Sequence, residues 1–235
     1  MDKKTTFDKY AGEYDAWFFD NMNLLTSEVR LVAHFLKDAG KVFSVGCGSG
    51  LFESILKKDY DIHIEYGLEP SDGMADIARK RGMTVDVTTA ENAELGTELY
   101  DTILFNGTPS YITDLKMVFE KANKALKPGG KIVVIDVPKE GSFATMYNLA
   151  KTLETYNHPL LEGVHPLDAY PIEFVKTANW RTSAQKIEFL KETGFDQFKF
   201  AQTLTKHPLY SNNVAEEPIE GFDSGDYVAI CAIKK

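Results

Sequence analysis

The most constraining feature of this 235-residue chain is the stretch VFSVGCGSG at residues 42–50. A short apolar run leads directly into a loop with glycine at positions 46, 48 and 50. Glycine lets a backbone approach a ligand closely and turn sharply into the next helix. In open parallel sheets, ligands bind beyond the carboxyl ends of the strands, near the point where the strand order reverses. We therefore expect this loop to mark the ligand-binding edge of an α/β sheet.

The pattern after the loop predicts the same fold class. Strand and helix signals alternate, and the segment KIVVIDV is apolar enough for a strand buried on both faces. The expected N-caps of helices are Ser71, Asp114 and either Thr182 or Ser183. Predicted strands cover residues 41–45, 62–68, 84–88, 100–105, 131–137, 197–203 and 227–233. This alternation predicts a doubly wound, Rossmann-like α/β sheet of seven strands.

Two segments flank or interrupt this alternation. Residues 7–19 place aromatic and apolar side chains on one helical face, and a second helix is expected to begin at Thr26. They predict an N-terminal helical cap over residues 1–38. Residues 138–182 are rich in prolines and aromatic residues and follow the fifth strand. We expect this insertion to form a lid over the ligand-binding edge of a single domain spanning residues 1–235.

Charge and cysteine usage exclude several classes of partner. A formal net charge of -9 disfavours nucleic acid and anionic membrane, since both select basic surfaces. The N-terminal sequence MDKKTTFDKY lacks the apolar core of a signal peptide, and no apolar run approaches a transmembrane helix. Cys47 and Cys231 do not have metal-ligand spacing. We expect both thiols to be reduced and buried in a cytoplasmic protein without a bound metal.

The glycine spacing distinguishes two classes of cofactor. A dinucleotide loop follows G-x-G-x-x-G, which places a pyrophosphate at a helix N-terminus. Here the pattern is G-x-G-x-G with Leu51 next, and no phosphate-loop Lys-Ser/Thr pair follows. Glu69 stands at the end of the second predicted strand, about 20 residues after the first glycine, where an acid accepts both hydroxyls of an unphosphorylated ribose. The spacing favours a nucleoside cofactor without a pyrophosphate.

Several motifs together resemble the class I S-adenosylmethionine-dependent methyltransferases. The similar segments are VFSVGCGSG, YGLEPSDG, VTTAENAEL, YDTILFNG, LKPGGKIVVIDVP and the opening FDKYAGEYDAWF. The nearest resemblance is to the small-molecule branch that includes ubiquinone and menaquinone biosynthesis enzymes (type 11), and it covers residues 7–137. It implies a mostly parallel sheet with an antiparallel last strand. It also implies S-adenosyl-L-methionine as cofactor and S-adenosyl-L-homocysteine as product.

The resemblance also implies a set of cofactor contacts. Gly46, Cys47 and Gly48 would pass under the methionine and ribose, and Glu69 would hold the ribose hydroxyls. The remaining positions implied are Pro70 or Ser71 beside the adenine, Ala90 and Glu91 at its edge, and Asn106, Gly107 and Tyr14 near the methionine end.

Two positions depart from the family pattern. Thr89 stands where the family often has an aspartate, so recognition of the adenine amino group would fall to Glu91 or to a backbone carbonyl. Ser44 stands where an aspartate commonly helps to position the glycine loop and the cofactor's ammonium. A serine hydroxyl makes hydrogen bonds but brings no charge. We therefore expect weaker cofactor affinity.

Methyl transfer from a sulfonium is an in-line displacement in which the protein supplies alignment and excludes water. A general base matters only where the acceptor must first lose a proton. Candidates near the mouth are Tyr111, His158 and His165, with Tyr111 more suited to a wall because a phenol titrates near 10. The aromatic insertion suits a small, partly apolar acceptor, whose carboxylate, where present, would pair with Arg181 or Lys176.

Two alternatives remain open from the sequence. A protein that keeps the fold and binds the cofactor without catalysis would carry the same motifs. An aminopropyltransferase on this fold would need acids around the fourth strand, where Asn106 is neutral. A monomer and a homodimer are both compatible with the chain.

Overall fold

The computed structural model describes residues 3–235, so Met1 and Asp2 of the predicted cap lie outside the described residues. The strands are β1 Val42–Val45, β2 Tyr66–Leu68, β3 Thr84–Asp86, β4 Tyr100–Asn106, β5 Leu126–Asp136, β6 Phe195–Thr203, β7 Ile219–Glu220 and β8 Tyr227–Lys234. The helices are α1 Lys3–Lys9, α2 Ala11–Asp20, α3 Met22–Leu36, α4 Leu51–Tyr60, α5 Asp72–Lys80, α6 Leu115–Ala125, α7 Ser142–Leu153, α8 Ile172–Thr177 and α9 Ser183–Glu192.

The described strands form one sheet in the order β3-β2-β1-β4-β5-β8-β6-β7. Neighbours from β3 to β5 run parallel, while β8 is antiparallel to both β5 and β6. The predicted Rossmann-like sheet with an antiparallel last strand is confirmed. The strand order reverses between β1 and β4, so the loop after β1 lies at the switch point where ligands bind in such sheets.

The sheet has eight strands where the sequence predicts seven. The additional strand, β7, has two residues and pairs with Ala201 and Gln202 at the sheet edge. It lies in a segment that the sequence indicates as a surface loop. A two-residue strand is too short to show a period-2 pattern, so only its pairing with β6 defines it.

The core lies on both faces of the sheet. Along β5, Ile132 and Val134 pack into one buried cluster, while Val133 and Ile135 pack into the other. Successive side chains of a strand point to opposite faces, and both faces here are covered by helices. This double burial explains why KIVVIDV is apolar at nearly every position.

Helix capping follows the sequence at three predicted positions. The side chains of Ser71, Asp114 and Thr182 accept hydrogen bonds from the backbone N–H groups of Met74, Met117 and Gln185. For the helix preceded by Thr182, the Gln185 side chain also binds the backbone N–H of Thr182, which completes a capping box.

The predicted start at Thr26 is wrong, because α3 begins at Met22. Thr26 lies inside the helix and donates its hydroxyl to the Met22 carbonyl, 2.7 Å away. The side-chain oxygen of Asn212 accepts hydrogen bonds from the N–H groups of Asn23 and Leu24 at 3.0 and 3.2 Å. Because Asn212, 189 positions away, supplies this N-cap contact, the helix begins before the start that the local sequence predicts.

Other boundaries also differ from the sequence pattern. The predicted strand at 62–68 is paired only over Tyr66–Leu68, and the aromatic stretch at 7–19 divides into α1 and α2 around Tyr10. Residues 138–182 contain α7, a short 3-10 turn at Pro159–Leu161 and α8. None of the helices within residues 3–235 combines the length and apolarity needed to span a membrane.

Candidate active site

A cavity of about 490 Å³ opens at the carboxyl ends of the central strands. The cap, the glycine loop, the strand ends and the 138–182 insertion all contribute to its walls. The predicted site residues that line it are Tyr14, Gly46, Gly48, Glu69, Pro70, Ala90, Glu91, Asn106, Gly107 and Tyr111. The structure therefore brings together segments that lie far apart in the sequence.

The glycine loop is fixed to the neighbouring strand. The N–H groups of Gly46 and Cys47 both donate to the Leu68 carbonyl, at 2.8 and 3.0 Å. Gly46 has φ +69°, and a Cβ there would overlap the side chain of Thr108. At Gly48, φ is +54° and a Cβ would meet no atom of the described residues within 4 Å. The loop thus leaves open space above its backbone, as a bound ligand requires.

Glu69 is buried at the floor of the cavity. Its carboxylate accepts hydrogen bonds from the backbone N–H groups of Gly48 at 3.0 Å and Ser71 at 2.9 Å. Burial nevertheless raises its pKa to about 7, against the opposing effect of both hydrogen bonds. These two donors orient the carboxylate while leaving it acceptor capacity toward the cavity.

Three predicted residues do not line the cavity. The Cys47 side chain packs near Gly67, and Cys47 is not among the residues that line the cavity. His158 caps a short turn, where its Nδ1 accepts from the Leu160 N–H at 3.2 Å. The His165 Nδ1 donates to the Pro166 carbonyl at 2.7 Å. Within residues 3–235, no group of three or more His, Cys, Asp or Glu side chains is arranged to hold a metal ion.

Tyr111 forms part of the wall between the cap and the insertion. Its ring meets Phe7 edge-on, with centroids 5.1 Å apart, and its hydroxyl shares a hydrogen bond with Tyr170. Burial raises the pKa of Tyr111 well above its ordinary value. The phenol is therefore neutral across the physiological range.

The neutral Ser44 has an acidic partner that the sequence pattern does not reveal. Its hydroxyl donates to Glu53 of α4 at 2.7 Å, and both side chains are buried. Burial raises the pKa of Glu53, and the Ser44 hydrogen bond opposes that shift. A carboxyl group thus lies beside Ser44, on the helix that follows the loop.

Two acids, Asp15 and Asp8, join the cap to the cofactor edge. Asp15 of α2 accepts from the Ser49 hydroxyl at 2.5 Å and pairs with Arg81 at 2.6 Å. Asp8 of α1 accepts from the Ser71 hydroxyl and from the Gly73 N–H, at 2.7 and 3.1 Å. An acid at a helix N-terminus complements the positive end of the helix dipole, here that of α5.

The inner part of the cavity is aromatic, and the sequence motifs do not predict two acids of the cavity wall, Glu28 and Asp136. Its ring-bearing residues include Trp17, Phe18, Phe143, Tyr147, Tyr170, Trp180 and Tyr227. Glu28 of α3 lines the same part, is 8% exposed, and has its pKa raised to about 8 by burial. It lies on the apolar stripe of α3, between Leu24 and Val32. An acid on such a stripe was an available sequence signal.

The remaining charged groups near the cavity have partners. Asp136 lies 3.6 Å from buried Lys186, and burial raises the pKa of the acid and lowers that of the lysine. Arg181 donates to the backbone carbonyls of Pro109, Ile112 and Thr113, all at 2.9 Å. Lys176 pairs with Glu173, and neither basic residue lines the cavity.

The tip of β4 is neutral and polar. Asn106 accepts a hydrogen bond from the Tyr227 hydroxyl at 2.9 Å, which fixes the amide at the cavity wall. In place of the acids that an aminopropyltransferase would need, the tip of β4 carries an amide, with the Tyr227 phenol of β8 beside it.

Comparison with known proteins identifies the family of this chain. A family model described as a methyltransferase domain matches residues 19–196. An uncharacterized protein of Methanocaldococcus jannaschii is 32% identical over 97% of this chain and 98% of its own length.

Two crystal structures share the fold. A Thermotoga maritima protein, described as a SAM-dependent methyltransferase and possible histamine N-methyltransferase, is 31% identical, with a TM-score of 0.82 over 98% of this chain and 99% of its own. Geranyl diphosphate C-methyltransferase of Streptomyces coelicolor, solved with S-adenosyl-L-homocysteine, has a TM-score of 0.59 at 15% identity, covering 87% and 76% of the two chains. The chain belongs to the class I S-adenosylmethionine-dependent methyltransferases.

Proposed function

We propose that this methyltransferase acts on a small-molecule acceptor by direct in-line displacement. The observation that carries the proposal is one cavity that joins a glycine loop and an oriented acid, Glu69, to an aromatic chamber under the 138–182 insertion. A nucleoside cofactor suits the first part, and a small, partly apolar acceptor suits the second. We propose that this insertion, residues 138–182, acts as the substrate lid.

The described residues fit S-adenosyl-L-methionine. The open space above Gly48 admits a ligand against the backbone, and Glu69 is aimed to accept ribose hydroxyls. When bound, the cofactor supplies an electrophilic methyl group on a sulfonium. The residues proposed to hold it are Tyr14, Gly46, Gly48, Glu69, Pro70, Ala90, Glu91, Asn106 and Gly107 from the cavity wall, together with the backbone of Cys47.

The chain's own contribution is alignment and exclusion of water, which lower the barrier of a displacement without a covalent intermediate. Of the three candidate bases, only Tyr111 lines the cavity, and burial raises its pKa further from neutrality. We propose Tyr111 as a wall that shapes the acceptor chamber. His158 and His165 remain candidates only for an arrangement in which the insertion moves.

The class of partner follows from charge and thiols. The formal net charge of -9 supports a small molecule in place of a nucleic acid or an anionic membrane. Cys47 and Cys231 are free and buried, which supports the cytoplasm as the compartment. We propose a monomer or a homodimer.

Binding and turnover test the proposal separately. Titration calorimetry with S-adenosyl-L-methionine and S-adenosyl-L-homocysteine should show binding below 1 mM for the wild type, on the order of the affinity ordinary for cofactors. Glu69→Ala should weaken binding at least about tenfold, because the ribose loses its acceptor. Glu65→Gln, an exposed acid before β2, is the matched control.

A panel of small acceptors, with S-adenosyl-L-homocysteine release measured by mass spectrometry, then tests catalysis. Histamine is included because the Thermotoga maritima protein is described as a possible histamine N-methyltransferase. No cofactor binding below 1 mM would contradict the proposal. Tight binding without product across the panel would favour the alternative of a non-catalytic, regulatory binding protein.

A further inference from the structure

The acceptor chamber combines aromatic walls with a single unpaired acid. Glu28 extends from α3 among aromatic residues of the cap, the insertion and β8, including Trp17, Tyr147 and Tyr227. The pKa values of Tyr14 and Tyr227 are raised mainly by burial and secondly by the charge of Glu28. The Glu28 carboxyl group therefore lies within electrostatic reach of both phenols. Aromatic faces around a carboxylate are the arrangement that recognises organic cations.

Glu28 differs from the other acids of the cavity because nothing compensates it. Glu69 accepts two backbone hydrogen bonds, Glu91 accepts one from the Thr113 N–H at 2.8 Å, and Asp136 has Lys186 nearby. None of the described residues donates a hydrogen bond to the Glu28 carboxyl group or forms an ion pair with it, although the residue is only 8% exposed. A buried carboxyl group without a hydrogen-bond partner is costly in either protonation state, so a structural role alone does not explain it.

The charges at the cavity wall point to a cationic occupant. Among residues 3–235, those that line the cavity include four acids, Glu28, Glu69, Glu91 and Asp136, and no lysine, arginine or histidine. The guanidinium of Arg181 is engaged by the backbone carbonyls of Pro109 and Ile112. A carboxylate-bearing acceptor would therefore find no counter-charge at the wall, whereas a cation would find Glu28.

We propose that the methyl acceptor is a small organic amine that binds as a cation, with Glu28 as its anchoring carboxylate and the surrounding rings as its cage. This inference rests on the methyltransferase function proposed above. Two positive charges, the sulfonium and the ammonium, then share one cavity, and Glu28 offsets their repulsion. Transfer to the amine nitrogen requires its lone pair, so the ammonium first passes a proton to the Glu28 carboxylate. The neutral nitrogen then bonds to the methyl group as the methyl–sulfur bond breaks, which gives a methylated ammonium and S-adenosyl-L-homocysteine. The cavity of about 490 Å³ must hold both molecules, which restricts the amine to a small one.

Matched pairs of probes test the charge requirement. Binding of 2-phenylethylamine, tyramine, tryptamine and histamine is measured by calorimetry on the full chain saturated with S-adenosyl-L-homocysteine. Each of the first three is compared with its neutral alcohol counterpart, such as 2-phenylethanol, which has nearly the same shape. At least one amine is expected to bind tenfold or more tightly than its alcohol.

Variants assign that preference to Glu28. Glu28→Gln should lose about tenfold or more in amine affinity while keeping the affinities for the alcohol and for S-adenosyl-L-homocysteine within about twofold. Glu13→Gln removes an exposed charge from the same cap and should leave the affinities for the amine, the alcohol and S-adenosyl-L-homocysteine unchanged. Thermal unfolding of each variant verifies that the fold is retained.

The failures are distinguishable. S-adenosyl-L-homocysteine binding without any preference for an amine over its alcohol would overturn the acceptor class and leave the methyltransferase proposal standing. If Glu28→Gln weakens the binding of S-adenosyl-L-homocysteine as much as that of the amine, Glu28 belongs to the cofactor site. That result would also overturn the inference. Absence of S-adenosyl-L-homocysteine binding in the wild type would overturn the proposed function first and this inference with it.

Discussion

At the scale of single residues, the ionisation of Glu69 controls how well the site can accept ribose hydroxyls. Burial raises its pKa to about 7 in the ligand-free protein, so the proton is taken up as pH falls through neutrality. A protonated carboxyl accepts fewer hydrogen bonds from hydroxyl groups. The site therefore requires the ionised form, which is dominant only above the raised pKa.

We predict that S-adenosyl-L-homocysteine affinity falls by about tenfold between pH 8 and pH 6, because binding requires the ionised Glu69. Calorimetry across this range measures the dependence. Glu69→Gln should bind weakly at every pH and show a flat profile over the same interval. A wild-type profile as flat as that of the variant would contradict the prediction.

Ser44 gives a second prediction, because its hydroxyl contacts buried Glu53. Ser44→Asp would restore the acid that the family pattern favours on β1, but it would set two carboxylates side by side in the core. We expect a loss of stability of about 3 kcal/mol in urea unfolding, as for an uncompensated buried charge. Ser44→Asp with Glu53→Gln should recover most of that loss.

The double variant also tests the expected effect of Ser44 on cofactor affinity, since it moves the acid from α4 back to the strand. Unchanged S-adenosyl-L-homocysteine affinity in this variant would show that Glu53 already supplies what the strand lacks. Tighter binding would show that Ser44 weakens the site. Wild-type stability in the single Ser44→Asp variant would contradict the structural account.

At the scale of elements, the cap is attached to the cofactor edge by specific polar contacts. Asp15 joins α2 to the glycine loop through Ser49 and to the end of α5 through Arg81. The Arg81 guanidinium also donates to the Ser49 carbonyl at 2.7 Å. Because Tyr14 and Trp17 of α2 line the cavity, the position of the cap affects the shape of the site.

We predict that Asp15→Ala and Arg81→Ala each weaken S-adenosyl-L-homocysteine binding by about tenfold, or about 1.4 kcal/mol. The double variant should lose much less than twice that amount, since both substitutions remove one shared contact. Calorimetry on the four proteins of this cycle gives the coupling energy. Additive losses would show that the two residues act independently, and Glu13→Gln on the same helix is the neutral control.

Elements differ in how far local sequence determines them. Patterns within a few residues predict the apolar run of β5, the caps Ser71 and Asp114 and the glycine loop. Such patterns do not predict the start of α3, because Asn212 caps it from a distant loop. β7 and the Ser44–Glu53 contact likewise depend on tertiary pairing, which a local pattern does not encode.

The candidate site divides in the same way. The cofactor half is built mainly from a contiguous loop and strand ends whose residue types are restricted by close approach to a ligand, so nine predicted cofactor residues line the cavity. The acceptor half is assembled from side chains of the cap, the insertion and β8. In the sequence, the aromatic residues of this half follow the same pattern as residues of a hydrophobic core. Only the fold shows that they line a cavity and that Glu28 lies among them.

At the scale of the whole molecule, the buried Glu28 links stability to pH. Its pKa is raised from 4.5 to about 8 in the folded protein. Between these values the folded state retains a proton that the unfolded chain has released. The free energy of unfolding therefore falls as pH rises through this interval. The stability that the protonated Glu28 contributes is fully present only below its unfolded-state pKa of 4.5.

We predict that Glu28→Gln removes this dependence. The amide resembles the protonated acid, so the variant should match the wild type near pH 4.5 and exceed its stability at pH 9 by a few kcal/mol. Urea unfolding of the ligand-free proteins across this range measures the difference, with Glu13→Gln following the wild type. Parallel curves for the wild type and Glu28→Gln would contradict it. An amine that binds Glu28 should reduce the difference, because pairing with a cation stabilises the ionised carboxylate that burial alone disfavours.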